Sequence, residues 1–135
     1  MIEVTDVAGE LILIVEDNDK NLKLARDVLQ HRGFRTLEAM TAADGIALAT
    51  EHCPDLVLMD IQLPDADGVS ALQRLRAEPS TRSIPVVALT AFVMQADRER
   101  ISAAGFDGYL AKPIDVLAFP DQVQRYCVEA PRREL

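Results

Sequence analysis

The sequence has too few basic residues for a nucleic-acid-binding surface. Its 135 residues include 14 Lys and Arg against 22 Asp and Glu, which gives a formal net charge of -8. Binding to a phosphate backbone requires Lys and Arg clustered on one face of a protein. The composition therefore argues against DNA or RNA as a partner.

Long hydrophobic runs are also missing. The longest apolar stretch, residues 84–94, is interrupted by Pro85 and Thr90, and it is far shorter than the roughly 20 residues that a transmembrane helix needs. The N-terminus shows no signal-peptide pattern. We therefore expect a cytoplasmic chain that has no membrane partner.

Cysteine is scarce, and the common nucleotide-binding glycine motifs do not occur. Cys53 and Cys127 lie far apart without a CxxC spacing, which indicates buried thiols in a reducing compartment rather than a disulfide or a zinc site. Neither GxxxxGK(S/T) nor GxGxxG is present. A nucleotide-binding α/β protein is therefore disfavoured.

What the sequence does contain is an alternation of short apolar runs with helix-length segments. Four of the runs show no polar alternation, which is typical of strands buried on both faces, and a fifth, weaker run fits an edge strand. The predicted strands are residues 11–15, 34–39, 56–59, 85–89 and 109–111. The predicted helices are residues 18–32, 42–52, 68–77, 95–104 and 115–127.

This alternation predicts one α/β domain. Leu22, Ala25 and Leu29 fall on one face of the first predicted helix, as a helix that covers a sheet requires. Strands that alternate with helices pair in parallel through right-handed crossovers, which places helices on both faces of the sheet. We predict a domain over residues 11–128, short tails at 1–10 and 129–135, and no output domain.

The ends of the predicted helices carry both supporting and conflicting signals. Thr41 resembles an N-cap, whereas Gly33 and Gly105 stand where helices commonly end in glycine. Pro120 conflicts with a helix that starts near residue 116, because an interior proline removes a hydrogen bond and costs roughly 3 kcal/mol. We therefore expect a kink or a late helix start near Phe119.

Polar and charged residues directly follow four of the predicted strands. Glu16 and Asp17 come after the first strand, Asp60 after the third, Thr90 after the fourth and Lys112 after the fifth. In an open parallel sheet the functional crevice lies outside the carboxyl ends of the strands. Three carboxylates, a hydroxyl and an ammonium are therefore predicted to meet at one edge.

Clustered carboxylates repel one another, so this group requires a cation or protons. Oxygen ligands favour Mg²⁺, and the lack of His or Cys at these positions disfavours zinc. A carboxylate beside Mg²⁺ can act as the nucleophile in phosphoryl transfer. Asp60 suits that role best, whereas Glu16 and Asp17 are better suited to binding the metal. Lys112 would bind a phosphoryl oxygen, and the Thr90 hydroxyl would donate a hydrogen bond to another oxygen.

Four motifs resemble those of response-regulator receiver domains. They are VEDN at 15–18, LMDIQLPDADG at 58–68, LTA at 89–91 and YLAKP at 109–113, in the order and spacing of that family. The stretches LIVEDN and MDIQLP are most similar to stand-alone receivers of the DivK type. The implied fold is flavodoxin-like, a (βα)5 three-layer sandwich with a parallel sheet of strand order 2-1-3-4-5.

The resemblance also implies roles for individual residues. Asp60 would be the phosphoacceptor, and Asp17, Asp60 and the backbone carbonyl of Gln62 would bind Mg²⁺, with Glu16 acting through water. A sensor histidine kinase or a histidine phosphotransferase would donate the phosphoryl group. The signal would pass to a downstream effector protein, and the only catalysis would be self-catalysed transfer and hydrolysis.

Further positions match family elements that govern switching and signal lifetime. Thr90 and Tyr109 correspond to a switch pair, in which the hydroxyl moves toward the phosphate and the aromatic ring turns inward. Gln62 and Phe92 correspond to positions that control access of the hydrolysing water. The peptide bond between Lys112 and Pro113 is often cis in this family.

Two alternatives stay open. Residues 65–69 spell the DxDGV nucleophile motif of haloacid-dehalogenase-like phosphatases, with Asp65 and Asp67 as its acids. Pro64 argues against this, because the motif should directly follow a central strand, where proline does not fit; Asp67 then serves as a helix N-cap. The chain could also be a receiver module of a hybrid kinase, although its short ends favour a complete small protein.

Overall fold

A computed structural model describes residues 9–91 and 94–129 of the chain. Within these residues strands and helices alternate strictly, as predicted. The elements are β1 Leu11–Val15, α1 Asp19–His31, β2 Arg35–Ala39, α2 Ala42–His52, β3 Leu56–Asp60, α3 Gly68–Ala77, β4 Val86–Thr90, α4 Gln95–Ala104, β5 Gly108–Ala111 and α5 Phe119–Glu129.

The five strands form one parallel sheet of order β2-β1-β3-β4-β5. β2 lies at the edge and is only partly buried, whereas every residue of the central strand β3 is buried. This is the expected difference between a strand with one neighbour and a strand that is covered on both faces. The predicted flavodoxin-like fold and its strand order are confirmed.

The alternating side chains of the strands build two cores, one on each face of the sheet. On one face they pack against α2, α3 and α4, and on the other against α1 and α5. The first core contains Leu13, Val15, Val57, Met59, Ala49, Leu72 and Ile101; the second contains Ile12, Ile14, Leu56, Leu58, Leu22, Leu29 and Phe119. The two cores hold the helices in outer layers and leave the carboxyl edge of the sheet open.

The caps of several helices also match expectation. Thr41 caps α2 by accepting a hydrogen bond from Asp44, and Asp67 caps α3 by accepting one from Ser70. Gly33 and Gly105 adopt positive φ angles just beyond α1 and α4. In residues 9–91 and 94–129, none of the helices combines the length and apolar character needed to cross a bilayer.

The last helix begins later than the predicted range of 115–127. α5 starts at Phe119, which places Pro120 in the first turn. The amide that proline lacks has no intrahelical partner at that position, so the residue is tolerated there. Asp115 instead accepts hydrogen bonds from the backbone amides of Leu117 and Ala118 before the helix begins. The late start near Phe119 is confirmed.

The prediction that both cysteines are buried is wrong. Cys53 is exposed and Cys127 is half-buried, and neither forms a disulfide. Cys53 stands at the C-cap of α2 in the left-handed conformation, with φ 46 and ψ 62. The chain turns at the surface there, so the side chain stays outside the core.

Candidate functional site

The register of the sheet brings the predicted site residues to one edge. Val15, the last residue of β1, pairs with Met59, and Asp60 therefore follows directly at the end of β3. Two hydrogen bonds extend the ladder by one residue: the Glu16 amide donates to the Ala39 carbonyl at 3.0 Å and the Lys112 amide donates to the Thr90 carbonyl at 2.8 Å. The backbone thus fixes where these side chains originate.

Three carboxylates meet at this edge. Glu16, Asp17 and Asp60 each offer an oxygen, and these oxygens lie within 4.8 Å of one another. Glu16 is 1% exposed and Asp60 is 3% exposed, whereas Asp17 lies at the surface. The geometry therefore brings these three acids together at one edge of the sheet, where the sequence predicts them to meet.

Lys112 supplies a positive charge between the two buried acids. Its Nζ donates to Asp60 Oδ2 at 3.0 Å and to Glu16 Oε1 at 3.1 Å. Burying a carboxylate without a partner is costly, so the ammonium stabilises both acids. Lys112 reaches them from the turn after β5, whose Lys112–Pro113 peptide bond is cis.

Backbone amides satisfy the remaining oxygens of the two buried acids. The Asn18 amide donates to Glu16 Oε2 at 3.1 Å, just before α1 begins. The Gln62 amide donates to Asp60 Oδ1 at 2.9 Å. Each buried carboxylate therefore accepts hydrogen bonds from a backbone amide and from Lys112, and the Gln62 backbone lies directly beside Asp60.

The charge balance of this cluster is incomplete. Burial, together with a hydrogen bond to Asp60 and repulsion from its carboxylate, raises the pKa of Glu16 to about 7. Burial alone would lower the pKa of Lys112, but hydrogen bonds to Asp60 and Glu16 and their charges outweigh it, so this pKa lies above its ordinary value. One ammonium does not neutralise three carboxylates, and a second cation would favour the charged form of Glu16.

The donor set fits a hard divalent cation. Glu16, Asp17 and Asp60 provide oxygen ligands only, with Asp17 open to solvent, which suits an ion that keeps several waters. Mg²⁺ is held in this way, by one or two carboxylates and water, in phosphoryl-transfer sites. The surplus of negative charge and the ligand chemistry therefore agree.

The predicted switch and lifetime residues fall in different places. Thr90 is buried at the end of β4, and Tyr109 is half-buried on β5 with the Arg98 guanidinium 5.6 Å from its ring centroid. Gln62 is exposed beside Asp60. Phe92 lies outside the residues that the structure describes.

Both acids of the phosphatase-like motif accept hydrogen bonds from backbone amides at the N-termini of helices. Asp65 accepts hydrogen bonds from the Ala42 and Ala43 amides at the start of α2, at 2.8 and 3.0 Å. Asp67 Oδ1 accepts from the Ser70 amide at 2.7 Å, as predicted for an N-cap. The hydrogen bonds of Asp65 are not predictable from the sequence, because a cap supplied by a distant loop leaves no local spacing signal.

A flavodoxin-like α/β fold with a lysine-bridged acidic cluster at the carboxyl edge defines the class of this protein. The sequence profile of the response regulator receiver domain matches residues 12–124. The chain belongs to the response regulator receiver domain family.

Two groups of known proteins are similar to the chain. It is 42% identical over 119 residues to the polar-differentiation response regulator DivK of Brucella ovis, covering 88% of this chain and 97% of the relative. The second is the receiver domain of a sensor histidine kinase from Pseudomonas aeruginosa, whose structure has a magnesium ion coordinated in the active site cleft. It is 37% identical to this chain with a TM-score of 0.81, and the match covers 89% of this chain and 98% of that domain.

A third similarity supports the fold more broadly. A response regulator structure from Chloroflexus aurantiacus has a TM-score of 0.83 and 26% identity, covering 90% of this chain and 99% of that chain. The predicted family, and the predicted likeness to DivK, are confirmed. The phosphatase alternative is excluded by the family match.

Proposed function

We propose that this receiver domain accepts a phosphoryl group on Asp60 from a phosphohistidine donor, with Mg²⁺ bound at the acidic cluster. The observation that carries the proposal is the position of Asp60. It is the one acid of the cluster that is buried at the centre of the sheet edge, bonded to Lys112 at 3.0 Å and to the Gln62 amide at 2.9 Å. A carboxylate held this way has one orientation toward an incoming phosphorus.

The residues for metal binding follow from the same cluster. Asp17, Asp60 and the Gln62 backbone carbonyl would hold Mg²⁺, and Glu16 would act through a bound water. The ion would supply charge neutralisation for the phosphoryl oxygens. The magnesium ion in the similar Pseudomonas aeruginosa receiver domain supports this assignment.

The transfer itself requires few groups. An Asp60 carboxylate oxygen attacks the phosphorus of the donor, and the new P–O bond forms as the P–N bond to the imidazole breaks. The imidazole carries a proton on its other ring nitrogen before the transfer, keeps the electron pair of the P–N bond and leaves as the neutral ring. The Lys112 ammonium moves from Asp60 Oδ2 to a phosphoryl oxygen and offsets its charge. The Thr90 hydroxyl donates a hydrogen bond to another oxygen. Hydrolysis by water then regenerates the Asp60 carboxylate and releases phosphate.

Thr90 and Tyr109 form the proposed switch that reports this reaction. Movement of the buried Thr90 hydroxyl toward a phosphoryl group would vacate space at the end of β4, and the Tyr109 ring on the neighbouring β5 would turn into it. The two residues lie on paired strands, where Ala88 pairs with Tyr109 and Thr90 pairs with Ala111. A change at Asp60 would thereby reach Tyr109 on β5.

The proposed partners follow from the family. A sensor histidine kinase or a histidine phosphotransferase would donate the phosphoryl group, and an effector protein would receive the signal. The likeness to DivK, a response regulator, and to a receiver domain of a sensor histidine kinase supports these two classes.

Intact-mass measurement after incubation with acetyl phosphate and Mg²⁺ tests the phosphoacceptor. We expect one added phosphoryl group on the native chain, none without Mg²⁺ and none on Asp60→Asn. Asp44→Asn serves as the matched control, because it changes an exposed acid outside the cluster and should still be modified. An adduct that persists in Asp60→Asn would refute the proposal.

A second measurement addresses the lifetime of the phosphorylated form. Phe92 remains a predicted shield of the acyl phosphate against water. We expect Phe92→Glu to lose its phosphoryl group faster than the native chain, followed by intact mass after removal of the donor. An unchanged decay rate would refute this role.

A further inference from the structure

We propose that Asp65 is a positioning residue of the phosphorylation site. It ties the β3–α3 loop, residues 61–67, to the N-terminus of α2, and so holds the Gln62 backbone beside Asp60. The consequence for phosphorylation rests on the proposed function, whereas the positioning of the loop does not.

The tether consists of two hydrogen bonds from one carboxylate. Asp65 Oδ1 accepts from the Ala42 amide at 2.8 Å and Oδ2 accepts from the Ala43 amide at 3.0 Å. The next amide, that of Asp44, is bonded to Thr41. The first amides of a helix have no intrahelical acceptor, so an acceptor from another segment gains a strong, charge-assisted contact. Asp65 thus fastens a loop to a helix end that would otherwise be capped only locally.

The helix end that receives Asp65 is tightly packed. Ala42 is fully buried, and Gly45 lies so close to β1 that an added Cβ would stand 2.7 Å from Val15 Cγ2. Val15 directly precedes the Glu16 and Asp17 pair. The tether therefore connects the loop after β3, through α2, to the strand that directly precedes the other two acids.

The loop transmits the restraint to Gln62 because backbone contacts join its two ends. Gln62 pairs with Asp67 in an isolated bridge, and the Gly68 amide donates to the Ile61 carbonyl at 3.0 Å. Gln62 and Asp65 are both exposed, so burial does little to fix the loop. Anchoring its tip through Asp65 leaves the Gln62 amide, 2.9 Å from Asp60 Oδ1, little freedom to move.

Asp65→Ala, with two matched controls, tests this inference. Thr41→Ala removes the neighbouring cap of the same helix but leaves the tether in place. Asp44→Asn removes one negative charge from the same helix turn, which controls for electrostatic effects on a nearby cation. Asp65→Glu keeps both carboxylate oxygens on an exposed loop and serves as the conservative variant.

Two measurements separate positioning from general destabilisation. The first is amide hydrogen exchange of residues 61–67 in metal-free protein, which does not depend on phosphorylation. The second is Mg²⁺ affinity by calorimetry, accompanied by the KM and kcat of modification by acetyl phosphate. For Asp65→Ala we expect faster exchange in the loop and about tenfold weaker Mg²⁺ binding, as for other groups that orient a metal ligand.

The controls decide between the possible outcomes. We expect less than a twofold change in Mg²⁺ affinity for Thr41→Ala and Asp44→Asn, and recovery of at least part of the loss in Asp65→Glu. Native loop exchange in Asp65→Ala, or an equal effect of Thr41→Ala, would overturn the inference. If the native chain takes no phosphoryl group at all, the proposed function fails, and the exchange data still decide the role of Asp65. Should Asp65→Ala not fold, Asp65→Asn replaces it in the same measurements.

Discussion

Lys112 Nζ and Asp60 Oδ2 lie 3.0 Å apart at the ends of strands that are not adjacent in the sheet, because β4 separates β3 from β5. The lysine side chain crosses this gap beside the end of β4 and also reaches Glu16. It therefore connects three strands at the level of the site. This arrangement makes Lys112 important for the stability of the fold as well as for the proposed chemistry.

We expect Lys112→Met to lower the free energy of unfolding in metal-free buffer by about 3 kcal/mol, because it leaves two buried carboxylates beside each other. Mg²⁺ should recover much of the loss, since a divalent ion can neutralise the same acids. Urea denaturation with and without Mg²⁺ measures both effects. Lys20→Met, on the exposed face of α1, is the control, and an equal loss in that variant would contradict the prediction.

Cys53 should be replaceable with a gain in stability. It is a non-glycine residue with φ 46, and a side chain in this left-handed region is strained by about 1 kcal/mol. Cys53→Gly relieves this strain, but the greater freedom of glycine in the unfolded chain offsets part of the gain. We therefore expect the free energy of unfolding to rise by about 0.5 kcal/mol. Urea denaturation measures the change.

Cys53→Ala distinguishes backbone relief from loss of the thiol. Alanine removes the sulfur and its weak contacts with the carbonyls of Thr50 and Ser80, but it keeps the Cβ atom. We expect no gain in this control. A gain as large as that of Cys53→Gly would show that the backbone conformation is not the cause.

The sequence predicted the parts of the fold and site that depend on local pattern and chain order. Continuous apolar runs located the strands to within about a residue, and the acids and the lysine that follow them lie at one edge because parallel strands share direction. The burial of Cys53 was predicted wrongly, because a thiol counts as apolar in composition whereas the turn at the end of α2 is set by backbone geometry. The Asp65 contact with α2 and the Arg98 contact with Tyr109 were not predicted, since both join segments whose proximity emerges only after folding.

Close packing of α2 on β1 gives a further prediction. An alanine at position 45 would place its Cβ 2.7 Å from Val15 Cγ2 and 3.2 Å from Cγ1. We expect Gly45→Ala to lower the free energy of unfolding by about 1–2 kcal/mol, because the strain of overpacking exceeds the gain in helix propensity. Urea denaturation of the variant measures this cost.

A double-mutant cycle assigns that cost to a specific contact. Val15→Ala alone should be destabilising by about 2 kcal/mol through the cavity it leaves, but in the double variant the new methyl group fills part of that space. We therefore expect a favourable coupling of at least about 1 kcal/mol between the two sites. Strictly additive losses would show that α2 and β1 do not meet as the structure has them.

The Asp65 tether should make part of the stability dependent on pH. Hydrogen bonds from the Ala42 and Ala43 amides favour the charged carboxylate and hold the pKa of Asp65 below its ordinary value of 3.8, and Arg74 lowers it further. A group whose pKa is lowered in the folded state contributes stability above its unfolded pKa, and the contribution disappears as the pH falls through the folded pKa.

Comparison of the native chain with Asp65→Ala isolates this contribution from the other acids. We expect the native chain to have the higher urea midpoint at pH 7, an unchanged difference down to about pH 5, and a shrinking difference as the pH falls below the ordinary value of 3.8. Thr41→Ala removes an uncharged cap of the same helix, so its difference from the native chain should not change with pH over this range. A difference for Asp65→Ala that is equally constant would contradict the tether, because protonation of a carboxylate that accepts two amide hydrogen bonds removes its charge and weakens these bonds.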